Sequence, residues 1–242
     1  MTVLYEDNHL IIVNKAAGEI VQGDKTGDET LAEAVKLYIK EKYNKPGNVF
    51  LGTVHRLDRP VSGVVVFART SKSLARLNEM FRRGEVQKTY HCLTPLISDK
   101  SPAKTIAPNA EPITLTHYLT RNEKQNKAYA HPTEVAGSKK AVLDVRQLRT
   151  GDRLQLLEVN LHTGRHHQIR CQLSTIGFPI RGDLKYGAPR SNPDGSICLH
   201  ARQISFVHPI SKAEIAVTAP YPALSVWQAF DTDANEIPRQ QP

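Results

Sequence analysis

The sequence is poor in cysteine, has no long apolar run and contains no repeat, and each shortage closes a class of explanation. Its three cysteines, Cys92, Cys171 and Cys198, are odd in number and far apart, which fits reduced thiols in a reducing compartment rather than a disulfide framework. No two of them have the spacing of zinc ligands. No apolar stretch approaches the ~20 residues that a helix needs to cross a bilayer. The chain opens on Val3-Leu4-Tyr5-Glu6-Asp7, without the basic and apolar regions of a secretory leader. The expectation is a cytoplasmic protein with no membrane attachment. With no internal repeat and no low-complexity block, neither a solenoid nor a fibrous chain is in view.

Negative charge is in deficit as well. Among 242 residues, 32 Lys and Arg face 24 Asp and Glu, for a net charge of +8. That excess suits a polyanionic partner, nucleic acid first of all. A hydrophobic share of 40% and a charged share of 23% describe a globular chain with ample core.

Periodicity and punctuation set the elements. Residues 9–14 form a short β-branched apolar run and read as a buried strand. Thr30-Leu31-Ala32-Glu33 has the form of a capping box, and Leu31, Val35, Tyr38 and Ile39 follow at helical spacing until Pro46-Gly47. A strand is expected over Ser62 to Ala68, then a helix capped by Ser71 or Ser73, running to Arg83 and stopped by Gly84. Leu74, Leu77 and Phe81 share one side of that helix. Lys72, Arg76 and Arg83 share the other, with Glu79 placed to pair with Arg83 and Arg76, so a solvated, salt-bridged face is expected. Residues 88–93 alternate as a strand that puts Lys88 and Tyr90 on one face.

Residues 95–112 turn to Ser, Pro, Lys and Asn and read as an irregular excursion. Strands are expected over 113–119, 141–148 and 154–161, with a polar basic turn at 121–127. Residues 163–170 open a helix with the stripe Ile169, Leu173 and Ile176 and the terminator Gly177. Strands over 198–207 and 215–218, a short helix over 224–230 and a disordered tail from 231 complete the chain. An antiparallel meander fits this order better than βαβ units.

Three clusters could carry chemistry. Asp58 lies in His55-Arg56-Leu57-Asp58-Arg59-Pro60-Val61-Ser62-Gly63, where a carboxylate among arginines can be a nucleophile, a base or half of a structural ion pair. Arg165, His166, His167 and Arg170 gather at an expected helix start, where free amides attract anions. The paired histidines raise the question of metal. Adjacent helical residues point about 100° apart, and no third ligand is evident, so no metal is expected. Tyr90 offers a flat, hydrogen-bonding ring that can stack on a base or move a proton.

These segments together resemble the RluA-type pseudouridine synthases. The stretch 55–63 is similar to that family's catalytic-aspartate motif, Lys88-Thr89-Tyr90 to its lysine-x-tyrosine strand, and Thr163 to Arg170 with Gly177 to Gly187 to its arginine helix and following turn. The opening around Val13-Asn14-Lys15-Ala16-Ala17-Gly18 and the later Leu199-His200-Ala201 also look like family segments, in the family's order. The resemblance implies an α+β fold: a central, mainly antiparallel mixed sheet with flanking helices and an RNA-binding cleft. It implies an isomerase that detaches uracil from its ribose, turns it and rejoins it through C5, with no cofactor. By that resemblance Asp58 is the essential carboxylate, attacking either the sugar C1′ or the base C6. Tyr90 stacks on the flipped uracil, and Arg170 pairs with Asp58. Arg56 fills the gap left by the flipped base, since a stacked base must be extruded before its glycosidic bond is reached. Arg56, His55, Arg59, Lys88, Arg165 and His167 are the expected RNA contacts.

A single catalytic domain over 1–230, a tail over 231–242, a monomeric state and a structured ribosomal or transfer RNA as partner complete the expectation. Two positions depart from the family pattern: Val61 stands where threonine is commoner, and His166 stands where threonine or serine is commoner. No segment reads as the S4 RNA-binding domain frequent in the family, which leaves target selection to the catalytic domain. The competing readings are a non-catalytic RNA-binding or ribosome-assembly protein on the same fold, and a glycosidic hydrolase pairing Asp58 with Asp144 or Asp183. The latter needs two carboxyl groups roughly 5 to 9.5 Å apart.

Overall fold

Two strands buried along nearly their whole length, β2 (Leu10–Lys15) and β4 (Ser62–Ala68), form the axis from which the rest is laid out. The computed structural model describes residues 1–23, 27–96, 106 and 110–231. The expected tail, apart from Asp231, and most of the 95–112 excursion lie outside the described residues. The apolar runs of β2 and β4 are continuous because both faces of these strands are covered. Ile11, Val13, Val65 and Phe67 pack against helix α1 (Leu31–Lys42) through Val35 and Ile39. Leu10, Ile12, Val64 and Val66 pack on the other face with Leu77 of helix α2 (Ser71–Arg83). Each such buried aliphatic contributes roughly 1.5–3 kcal/mol relative to exposure.

The remaining strands are β1 (Thr2–Glu6), β3 (Gly52–Thr53), β5 (Gln87–Pro95), β6 (Ile113–Asn122), β7 (Lys127–His131), β8 (Lys139–Thr150), β9 (Leu154–Leu161), β10 (Leu199–Val207) and β11 (Glu214–Thr218). Among the described residues they join one 11-stranded sheet in the order β1-β2-β4-β10-β5-β9-β8-β6-β7, with β11 on β10 and β3 on β4. The run from β5 to β9, β8, β6 and β7 is the expected antiparallel meander. The exception lies at the centre, where β10 returns between β4 and β5 and runs parallel to β4. With helices on its faces the fold is α+β. Among the described residues no helix is long and apolar enough to cross a membrane.

Several local expectations are refined. Thr30 caps α1 through the capping box, whereas α2 is capped by Thr70 rather than Ser71 or Ser73. The Thr70 side chain accepts from the Ser73 amide, and the Ser73 hydroxyl oxygen accepts from the Thr70 amide. Gly84 ends α2 at φ +74°, as expected of a left-handed cap. Glu79 pairs with Arg82 and Arg83, but Arg76 instead donates to the Pro209 carbonyl at 2.8 Å. Strands β1 and β7 have no counterpart in the sequence reading. Both are five-residue edge strands, half exposed and without a clean apolar alternation. The basic turn expected at 121–127 shrinks accordingly, with β6 reaching Asn122 and β7 starting at Lys127.

Helix α3 begins only at Gln168 and runs to Thr175. His167 has φ +51°, and the Gln168 side-chain oxygen accepts from the Arg165 amide at 2.9 Å and the Thr163 hydroxyl at 2.8 Å. Residues 163–167 are therefore a braced turn that precedes the helix rather than its first turn. The His162 and Thr163 amides are taken as well, by the Val142 carbonyl.

Candidate active site

The loop between β3 and β4 carries Asp58, and the packing of that loop begins one strand away. Gly63 of β4 lies opposite Ala201 of β10, and Ala201 lies opposite Tyr90 of β5. A Cβ on Gly63 would meet the Ala201 carbonyl oxygen at 2.3 Å, and the residue has φ +116°, so only glycine allows β10 to close in. That approach sets the Asp58 loop and Tyr90 on either side of one short crossing.

The loop backbone is gripped from below by Lys15, at the end of β2. Lys15 is fully buried (0% exposed). Its ammonium donates to the carbonyls of Val61 at 2.6 Å, Ala16 at 3.0 Å, Arg59 at 3.1 Å and Asp58 at 3.3 Å. Burial pushes its pKa down to about 8, against the raising pull of Glu19 and Asp58. In the sequence it closes an apolar strand inside the family-like segment Val13 to Gly18, and that position was the signal that could have marked it.

The Asp58 side chain is held by Arg170 of α3. Arg170 Nη1 donates to Asp58 Oδ2 at 2.9 Å, while Nε and Nη2 form a fork onto Asp183 Oδ2 and Oδ1 at 2.7 and 2.9 Å. Asp183 is 1% exposed. A bidentate pair of this kind fixes the guanidinium plane and so aims the Nη1 N–H that orients Asp58. The sequence reading took Asp183 as a turn former or a possible second acid. Both of its oxygens are instead committed to Arg170, which leaves the hydrolase reading without its second carboxyl. Asp144 accepts from Thr114 and lies 2.6 Å from His162 Nε2 on the β8 surface.

Asp58, Arg170, Tyr90, Arg56, Arg165 and His167 border one cavity of about 130 Å³. Tyr90 is 9% exposed, and burial, helped by the Asp58 charge, pushes its phenol well above the ordinary range. The phenol is therefore held neutral. His167 Nε2 lies 3.4 Å from Asp58 Oδ2, and its Nδ1 lies 3.0 Å from the Tyr186 hydroxyl. Burial drives the His167 pKa down to about 3, although Asp58 pulls the other way. His166, not singled out as a contact, stacks on His167 with ring centroids 3.8 Å apart.

The cavity opens into a cleft of about 740 Å³ whose walls carry Arg56, Arg82, Arg83, Lys88, Arg121 and Arg165 around Asp58. The α2 basic face, read from sequence as a solvated surface, thus also supplies a wall of the cleft. Arg56 is exposed beside Asp58. Lys88 reaches over the Phe81 ring, 6.0 Å from its centroid, and burial lowers its pKa. His55 borders the cleft, but its Nε2 accepts from the Val66 amide at 2.9 Å and its ring stacks on Phe81. Burial takes the His55 pKa to about 4. Arg59 points away to an exposed pair with Asp28 at 2.8 Å. Arg165 Nε donates to the Lys140 carbonyl at 3.0 Å.

Comparison with known proteins identifies the family. A family model for RNA pseudouridylate synthase matches residues 9–175. The chain is 32% identical over 230 residues to the uncharacterized RNA pseudouridine synthase YhcT of Bacillus subtilis, spanning 92% of this chain and 69% of that protein. It is 29% identical over 232 residues to the ribosomal large subunit pseudouridine synthase D of Zymomonas mobilis, again spanning 92% and 69%. Among solved structures, human RNA Pseudouridylate Synthase Domain Containing 4 superposes with a TM-score of 0.72 at 22% identity, over 92% of this chain and 89% of that one, a likeness of fold. The resemblance read from the motifs is borne out, and the chain belongs to the RNA pseudouridylate synthases, isomerases that act on RNA.

Proposed function

We propose that the chain converts a uridine of structured ribosomal or transfer RNA into pseudouridine, with Asp58 as the reacting carboxylate. The observation that carries this reading is the meeting of Asp58, Tyr90 and Arg170 at one small cavity on the floor of a basic cleft. The cavity suits a single extruded base, and the cleft suits the phosphates of the strand it came from. In the reaction the N1–C1′ bond breaks, the uracil turns, C5–C1′ forms, and the C5 proton leaves to solvent while N1 takes one up. Asp58 stabilises the detached fragment covalently, at C1′ or C6. Arg170, fixed by Asp183, aims the carboxylate, and the neutral Tyr90 ring stacks on the base and helps move the proton.

Arg56 occupies the place of the extruded base. Lys88 and Arg165 contact the RNA backbone, His167 borders the base, and His55 and Arg59 contribute at the margins. The working unit is a monomeric domain over 1–230, acting in the cytoplasm without a cofactor.

RNA tritiated at uracil C5 tests the reading. Wild-type protein is expected to release tritium to water, while Asp58→Asn and Asp58→Ala release none and still bind RNA. Undiminished release by either variant would remove Asp58 from the chemistry. Pseudouridine maps of ribosomal and transfer RNA from cells with and without the gene identify the target. An unchanged map would favour a binding role.

A further inference from the structure

His166 takes no part in the chemistry described above, yet it is poised at the same carboxylate. Its Nε2 is buried with no hydrogen-bond partner among the described residues, a costly state for a polar atom unless a ligand meets it. His167 is steadied from its far side by the Tyr186 hydroxyl at 3.0 Å, which leaves Nε2 turned to Asp58 Oδ2 at 3.4 Å. One donor atom from each of Asp58, His166 and His167 lies within 4.8 Å of the others. The ground on which the sequence argued against metal is removed. The two histidines do not sit on a helix and splay apart; they stack in the turn before α3, and the third ligand comes from a loop more than a hundred residues away.

We propose that Asp58, His166 and His167 form a binding site for a divalent transition-metal ion of the zinc type, and that the bound ion inhibits the enzyme by occupying the Asp58 carboxylate. Two imidazole nitrogens and one carboxylate oxygen form a donor set that zinc accepts with its fourth position left open. At bonds of about 2.0–2.1 Å in tetrahedral geometry, neighbouring donors stand about 3.4 Å apart. The His167–Asp58 edge already has that length. The other edges close by a shift of the half-buried His166 ring. The Tyr186 hydroxyl on the far side of the His167 ring is the kind of outer partner that fixes a ligating imidazole. Nitrogen donors favour zinc, nickel and copper over magnesium.

Positive neighbours oppose the ion. Arg170 lies 2.9 Å from Asp58 Oδ2, and Arg121 acts on His166. The Arg170 charge is already matched by Asp183, and Asp58 retains lone pairs beyond those facing Arg170. The balance gives a reversible site, weaker than a structural zinc centre. Binding stands on geometry alone, whereas inhibition rests on the role given to Asp58 under Proposed function.

The test titrates the metal-free full chain with Zn²⁺ against a chromophoric chelator, with Mg²⁺ as the comparison ion, in wild type, His166→Thr and Asp58→Asn. One Zn²⁺ per chain is expected, undisturbed by Mg²⁺, with binding weakened about tenfold or more in each variant. Tritium release, scaled to each protein's own metal-free rate, is expected to need about tenfold more Zn²⁺ for half inhibition in His166→Thr than in wild type. Equal Zn²⁺ affinity in wild type and both variants would overturn the site. Site-specific binding with undiminished release at saturating Zn²⁺ would overturn the inhibition. Absence of release from metal-free wild type would count against the reaction assigned to Asp58 and leave the binding result to decide the site.

Discussion

Lys15 and Arg170 are both buried to 5% exposure or less, and both hold the loop that carries Asp58, one by its backbone and the other by its side chain. Lys15 touches no carboxylate among the described residues. Its ammonium is satisfied by carbonyl dipoles alone, so burial wins and its pKa falls to about 8. Arg170 meets two carboxylates, and these outweigh the burial that works against its charge, so its pKa rises. A point charge can gather several carbonyls from one turn, whereas a planar fork can match one carboxylate and present a spare N–H to another. The two cations thus divide the work of pre-organisation: one sets where the loop runs, the other where the carboxylate points.

The comparison can be broken most sharply on the arginine side. Arg170→Lys keeps the charge but loses the fork, so the carboxylate loses its aim. Single-turnover tritium release should drop by about a hundredfold. A drop of less than threefold would mean that any cation suffices. Asp183→Asn leaves the fork without its buried counter-charge and should lower the unfolding free energy by about 3 kcal/mol, read by urea denaturation, with a smaller loss of rate. If stability is unchanged, Asp58 alone supports Arg170.

On the lysine side the expected balance is reversed. Lys15→Met strips the turn carbonyls of their donor and should cost about 2 kcal/mol, seen as a melting point lower by about 4–8 °C, while the rate changes less than in Arg170→Lys. A larger rate loss than that would show that the loop backbone, not the carboxylate's orientation, limits the chemistry. The smallest effect is a pH dependence. The Lys15 pKa is about 8 in the fold against 10.5 in an ordinary lysine, so between these values the unfolded chain holds a proton that the folded chain has shed. Stability contributed at this position therefore rises with pH across that window. Wild type should gain on Lys15→Met from pH 8 to 10.5, and a gap that narrows instead would show that Lys15 stays charged throughout.

Much of this was legible in the chain, for local reasons. The β4 run, the Thr30 capping box, the Gly84 stop and the shared face of Lys88 and Tyr90 depend on residues a few positions apart, where periodicity and turn chemistry operate. The motifs around Asp58, Tyr90 and Arg170 were ordered along the sequence, so the family could be read from them. The braced turn before α3 was not legible. It depends on the Gln168 side chain folding back on Thr163 and Arg165, in a stretch whose composition suits a helix start equally well.

The sequence by itself thus determined the strands with a clear period, the helix ends with a chemical cap, and the family. The tertiary structure decided the rest of the site. It sets Arg170 on Asp58 across 112 positions and Lys15 beneath the Asp58 turn across 43. It commits Asp183 to Arg170, and it brings His166 and His167 to the same carboxylate. These contacts follow from β10 entering the sheet between β4 and β5, where Gly63 lets the backbones close. A pairing between distant strands leaves no periodic mark in either of them, so its consequences appear only when the sheet is assembled.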